Sequence, residues 1–173
     1  SLPIISPHGH TDPSWFAKNE NFSNATELLL TPDHYLLRLL YSQGIDLTKI
    51  GIQELGSNQT ADPEQAWQLF AENYHLFLGT PSRFWLDHVF VTLFGFEEVL
   101  SSANAANYFE KISSALATDE FKPRALLNRF NVETIATTEA AFDSLSQRKV
   151  IMKDVTGTQD VTTFRTDEVT DVD

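Results

Sequence analysis

Residues Val132–Arg165 read VETIATTEAAFDSLSQRKVIMKDVTGTQDVTTFR. Val132–Thr138 (VETIATT) is rich in β-branched residues and reads as a strand. Glu139–Met152 reads as a helix, and Val161–Phe164 reads as a strand that ends at Arg165. Two strands joined through a helix predict parallel pairing, because parallel neighbours need a crossover of this length. The fold class is therefore α/β.

Outward from this unit, the N-terminus supplies a third strand. Leu2–Ser6 is a short apolar run with Ile4 and Ile5, punctuated by Pro3 and Pro7. It predicts a buried strand that ends at His8-Gly9-His10. Thr11 to about Thr26 is polar and reads as irregular. From Thr31 the texture is helical for about a hundred residues. Thr31-Pro32, Asp62-Pro63 and Thr80-Pro81 are start signals, a capping side chain followed by proline at the first helical position. Gly44, Gly79 and Gly95 are the matching stops. Trp67, Phe70, Tyr74 and Phe77 line one face of the second helix; Ser102–Ala117 and Pro123–Phe130 predict two more. The expected organisation is residues 1–25 as first strand and histidine loop, 26–131 as a helical insertion, and 132–173 as two further strands with their helix.

Composition narrows the function. With 42% hydrophobic residues and 13 Phe, 3 Trp and 4 Tyr, the chain can fill a core, which excludes a disordered or collagenous polymer. Lys and Arg number 12 against 24 Asp and Glu, a net charge of −12. Such a surface repels phosphate backbones, so neither nucleic acid nor an anionic membrane is an expected partner. There is no cysteine, hence no disulfide, thiolate metal site or cysteine nucleophile. No apolar run approaches the roughly 20 residues of a membrane helix, and SLPIISPHGH does not resemble a signal peptide. A cytoplasmic location is expected. The chain starts at Ser1 without Met, which reads as a processed product or a piece of something longer.

Three motifs carry chemistry. His8 and His10 are two apart, so in extended backbone both face one side and can chelate one divalent metal. Gly9 keeps the opposite side small, and Asp12 is a candidate to orient an imidazole. The same pair is also compatible with exposed polar residues in a Pro/Gly-rich loop. Asp33-His34-Tyr35 opens a helix, where an imidazole and a phenol could exchange protons; the plainer reading is a dipole-matched Asp33 and a packing Tyr35. Arg165 at a strand end could clamp a carboxylate with two hydrogen bonds, or be a surface residue paired with Asp167. His75 and His88 lie within helices without a metal-like partner. No Gly-x-Ser-x-Gly elbow and no phosphate-binding glycine loop occurs.

In order along the chain, PIISPHGHTDPSWFA, NATELLLTPDHYLLRLLYSQG, TPSRFWLDHVF, FKPRALLNRFNVETIATTEAAFDSL and VTTFRTDEVTDVD resemble the N-terminal portion of the uronate isomerases, amidohydrolase-superfamily enzymes. The resemblance implies a partial (β/α)8 TIM-type barrel with a large all-helical insertion after the first strand. It implies aldose–ketose isomerisation of hexuronates through an enediol: D-glucuronate to D-fructuronate, and D-galacturonate to D-tagaturonate. It makes His8 and His10 metal ligands, the metal being zinc or manganese. It places His34 and Tyr35 in the active site and gives Arg165 a substrate-binding role. A homo-oligomer is expected. The family's later metal-binding Asp, near the eighth strand, is not in these residues. Ser146-Gln147-Arg148 stands where the family pattern has His, and Thr166 where it has Pro. Two rival readings are a non-catalytic helical interaction module derived from that family and a metal-dependent hydrolase of the same superfamily. The isolated 173 residues are expected to be inactive.

Overall fold

The computed structural model describes residues 2–52, 61–140, 151 and 157–165. The chain forms two compact units. One joins residues 1–21 to 119–173, and the other is Phe22–Thr118.

The first unit holds a three-stranded sheet in the order β1 (Ile4–Ser6), β2 (Val132–Ala140), β3 (Gln159–Arg165). Both pairings are parallel, as the strand–helix–strand pattern predicts. Ser6 is level with Ile135, and Ala140 with Arg165. Strand β2 runs two residues beyond the Thr138 boundary, so Glu139 and Ala140 pair with Phe164 and Arg165 rather than opening a helix. The ladder to β3 accounts for this, since each added pair satisfies backbone groups that a helix start leaves open. The remainder of the expected helix lies outside the described residues, except helical Ile151.

Helix α1 (Pro13–Lys18) occupies a stretch whose polar texture suggested irregular chain. Asp12 caps it by accepting from Ser14 N at 2.8 Å, and Pro13 stands at its first position. Arg124, in α7 (Pro123–Arg129), holds the other end. Its Nε donates to the Phe16 carbonyl at 2.7 Å and its Nη2 to the Ala17 carbonyl at 3.0 Å. Phe16, Leu127 and Ile151 are the buried centre here, with Ala17, Val132 and Ile135 packed against them. Strand β1 is not the buried strand that its apolar run suggests. Ile4 is 47% and Ile5 61% exposed, and among the described residues β1 has a strand neighbour on one side only. The contacts place Asp119–Asn131 with the strands, rather than with the helical residues before them.

The second unit is helical: α2 (Ala25–Leu29), α3 (His34–Ser42), α4 (Pro63–Glu72), α5 (Pro81–Phe94) and α6 (Ala105–Leu116). Helix α3 starts later than Thr31-Pro32 suggests. Asp33 is the cap, its carboxylate accepting from Tyr35 N at 2.8 Å and Leu36 N at 3.2 Å. Helix α4 ends at Glu72, short of Gly79. The Asn73 side-chain amide donates to the Leu69 carbonyl, and Asn73 N turns to Phe70 instead. The chain then tightens into a 3₁₀ turn over Tyr74–Phe77. Helix α6 begins at Ala105, not Ser102, because Asn104 accepts from Ser101 N and holds the residues before it in a turn.

The aromatic stripe is core, as its spacing predicts. Trp67, Phe70, Tyr74, Phe77, Phe90 and Tyr108 are all at most 2% exposed. Their rings meet edge-on or tilted, with Phe90 and Tyr108 centroids 5.1 Å apart. No helix among the described residues is long and apolar enough to cross a membrane.

Candidate functional site

Strand β1 ends at Ser6, so His8 and His10 stand in the loop just beyond its C-terminal end rather than in the strand. The rings nevertheless converge. Their Nε2 atoms are 3.2 Å apart, with centroids at 4.9 Å and planes at 86°. That separation permits one imidazole N–H to donate to the other ring's lone pair. It also matches the bite of one divalent ion. With metal–nitrogen bonds of about 2.0–2.1 Å, two ligands lie roughly 3.3–3.4 Å apart in a tetrahedral site. Both rings are exposed.

Gly9 lets the loop lie close to the sheet. A Cβ there would come within 3.3 Å of the Ala136 carbonyl in β2. A side chain at position 9 would therefore crowd the neighbouring strand. Asp12 instead caps α1, so its described role is structural rather than orienting an imidazole. Two imidazoles are what this loop offers a metal: among the described residues no group of three or more His, Cys, Asp or Glu comes together.

Arg165 is the last residue of β3. Because the three strands are parallel, its backbone lies at the same edge of the sheet as the loop carrying His8 and His10. That edge is where α/β folds commonly carry their sites, since the loops after the strands converge there. Asp167 lies outside the described residues.

His34 and Tyr35 are the first two residues of α3, in the other unit. Their rings are 4.1 Å apart at 34°. Both are exposed, Tyr35 by 64%, while Leu36 and Leu40 turn the opposite face of α3 into the core. Tyr35 is therefore not the packing residue of the plainer reading. Asp33 does serve the helix start, through its cap.

One polar cluster escaped the sequence reading. Arg83 Nε donates to Asp87 at 2.6 Å, Arg83 Nη1 to the Tyr74 carbonyl at 2.9 Å, and Tyr74 Oη to Asp87 at 2.8 Å. Burial first, and then Asp87, push the Tyr74 hydroxyl far above its ordinary range. The i, i+4 spacing of Arg83 and Asp87 was the available signal.

The family model described as glucuronate isomerase matches residues 1–173. The chain belongs to the glucuronate isomerase family. Among its relatives, the uronate isomerase of Caulobacter vibrioides is 53% identical over 170 residues, covering 98% of this chain and 35% of that protein. The uronate isomerase of Sphingopyxis alaskensis is 52% identical over 174 residues, with shares of 98% and 36%. The crystal structure of glucuronate isomerase from Caulobacter crescentus matches with a TM-score of 0.90 and 54% identity, covering 95% of this chain and 34% of that one. Uronate isomerase from Thermotoga maritima matches at 0.83 with 26% identity, again over 95% and 34%. This glucuronate isomerase family chain thus spans about a third of the length of the relatives it matches.

Proposed function

We propose that this chain carries the N-terminal share of a uronate isomerase active site. The observation that carries the reading is the pair His8 and His10, Nε2 atoms 3.2 Å apart, in a chain of the glucuronate isomerase family. In this reading the parallel strands are the first of a (β/α)8 barrel of the amidohydrolase superfamily, with the helical residues inserted after β1. The protein is cytoplasmic and homo-oligomeric.

The reaction is aldose–ketose isomerisation of a hexuronate, D-glucuronate or D-galacturonate. A proton leaves C2, an enediol forms, and a proton is delivered to C1. His34 and Tyr35 are the groups that move protons to and from carbon and oxygen. Their exposure leaves both rings accessible to a sugar. Arg165 binds the substrate, where a guanidinium fork matches the uronate carboxylate. His8 and His10 would hold a divalent cation, zinc or manganese, which when bound supplies positive charge to polarise substrate oxygens. An imidazole pair is a fitting donor set for such a cation, and the further ligands would come from sequence beyond these residues.

Two measurements test this. In the isolated chain, zinc should perturb the imidazole resonances of His8 and His10 together, and His10→Ala should abolish the effect. Equal perturbation of His75 and His88 would mean unspecific binding. Turnover needs metal, acid–base pair and carboxylate clamp held within a fraction of an ångström. The isolated chain should therefore not isomerise either uronate, with or without added metal. In a full-length relative, changing the residues that match His10 to Ala or Tyr35 to Phe should cost at least about tenfold in turnover, roughly 1.4 kcal/mol of barrier. Unchanged turnover in those variants would overturn the assignment.

A further inference from the structure

The histidine loop is held at both ends by one continuous stretch of chain. Before the loop, Ile4 N donates to the Asn131 carbonyl at 2.8 Å, and β1 pairs with β2 as far as Ser6. After the loop, Asp12 caps α1, and α1 is tied to α7. Arg124 donates from its guanidinium to the Phe16 and Ala17 carbonyls. In return, the Asn19 side-chain oxygen accepts from Arg124 N at 3.1 Å. Each helix end thus satisfies backbone groups of the other. The carbonyls are left open where α1 stops, and the N–H is left open where α7 starts, since its cap residue Lys122 makes no side-chain bond. Helix α7 then leads through Phe130 and Asn131 directly into β2.

Helix α1, Pro13–Lys18, falls well short of the roughly 12–15 residues at which an isolated helix is even marginal. Phe16 packed with Leu127, and the bonds from Arg124, are what fix it. His10 lies two residues before the cap of α1, outside any regular element. We propose that Arg124 is a positioning residue for the metal pair: by clamping α1 to α7 it fixes the far end of the histidine loop and so holds His8 and His10 in convergence. This rests on the reading of both histidines as metal ligands. Two features favour it over a purely stabilising role. The β1–β2 ladder already fixes the near end of the loop, so the seat of α1 is the remaining freedom. The guanidinium also binds two successive main-chain carbonyls, a fork that sets the orientation of the helix end as well as its place. Two exposed imidazoles chelate well only if their convergence is established before the ion arrives.

Zinc titration of the 173-residue chain, followed through the imidazole resonances of His8 and His10, tests this. Arg124→Met keeps an apolar stem and removes the fork. It should weaken zinc at least about fivefold, because the convergent arrangement becomes a minority. Arg124→Lys, with one ammonium in place of the fork, should fall between. Asn19→Gly keeps the left-handed backbone of that position and removes the reciprocal acceptor, so it should weaken zinc in the same direction. It also decides the matter if Arg124→Met fails to fold. Thr158→Val deletes the 2.7 Å bond to the Val132 carbonyl at the start of β2. It should lower the stability of the same unit and leave zinc affinity unchanged. Unchanged affinity in Asn19→Gly, or in a folded Arg124→Met, overturns the positioning role alone. So does an equal loss in Thr158→Val, which would mark general loosening. If His8 and His10 do not respond together in the unaltered chain, the metal reading itself fails, and the positioning role with it.

Discussion

Replacing Asp87 with Ala should destabilise the helical unit by about 1–4 kcal/mol, and the structure says where that comes from. The Tyr74 hydroxyl belongs to a side chain only 1% exposed, and it donates to Asp87 at 2.8 Å. Left without an acceptor, a buried hydroxyl costs about 1–3 kcal/mol. The Arg83–Asp87 pair adds little, about 1 kcal/mol at most, because the Asp87 side chain is 40% exposed and screened by water. Arg83 would keep its bond to the Tyr74 carbonyl and its place 3.9 Å over the Tyr74 ring. Tyr74→Phe should cost less, about 1 kcal/mol, because it removes the donor and leaves Asp87 in reach of water. The double variant should therefore be more stable than the sum of the single effects implies, by at least about 1 kcal/mol. Urea denaturation followed by circular dichroism measures all three, with an unchanged slope as the control. If Asp87→Ala costs no more than Tyr74→Phe, or if the two effects simply add, the hydroxyl–carboxylate bond is not what holds α5 to the turn before it.

Tyr108 gives a pH test. Burial first, then the charges of Asp87 and Glu98, push its hydroxyl up from 10.0 to about 12. A raised folded-state value means the unfolded chain loses this proton first, so its contribution to stability is complete below pH ~10 and falls as pH rises toward 12. Tyrosinate absorbance should show Tyr108 titrating only as the helical unit unfolds; a reversible titration of Tyr108 in the folded protein near its ordinary value would contradict this. Arg124→Met should loosen α1, since two carbonyls lose donors, at a cost of about 1.5–3 kcal/mol. Faster amide exchange confined to Pro13–Asn19 would be its signature. Asp62→Ala removes the cap that accepts from Glu64 N and Gln65 N and should cost about 0.5–2 kcal/mol by thermal denaturation.

The sheet was legible because its signals are local. β-branched runs at Val132 and Val161, separated by crossover length, leave parallel pairing as the simple solution, and the strands do pair that way. The histidine pair was legible for the same reason: two residues apart, with glycine between, His8 and His10 can meet whatever the rest of the chain does. The starts of α4 and α5 followed from Asp62-Pro63 and Thr80-Pro81, where cap and proline act within one turn. By contrast, Thr31-Pro32 carried the same signal and lost to Asp33. Two hydrogen bonds to a carboxylate outweigh a hydroxyl cap, and nothing local says which residue wins.

What depends on distant neighbours was not legible. Apolar Ile4 and Ile5 look buried in sequence, but burial requires something packed over the faces of the sheet, and among the described residues β1 also lacks a strand on its outer side. Helix α1 was missed although Asp12-Pro13 is the same local start signal as Asp62-Pro63, because its polar surroundings show no apolar stripe; its far end is held by Arg124, more than a hundred residues away. In α5 every third or fourth residue is apolar on both sides, so spacing alone could not say which stripe is core. Only packing against Trp67, Tyr74 and Tyr108 assigns Phe90 to the interior and leaves Phe84 in solvent. Sequence by itself determined the α/β class, the candidate residues and the family, because these rest on local pattern and residue identity. Tertiary structure decided which apolar faces are covered and which polar groups are paired, because burial and hydrogen bonding depend on what the rest of the chain brings into contact.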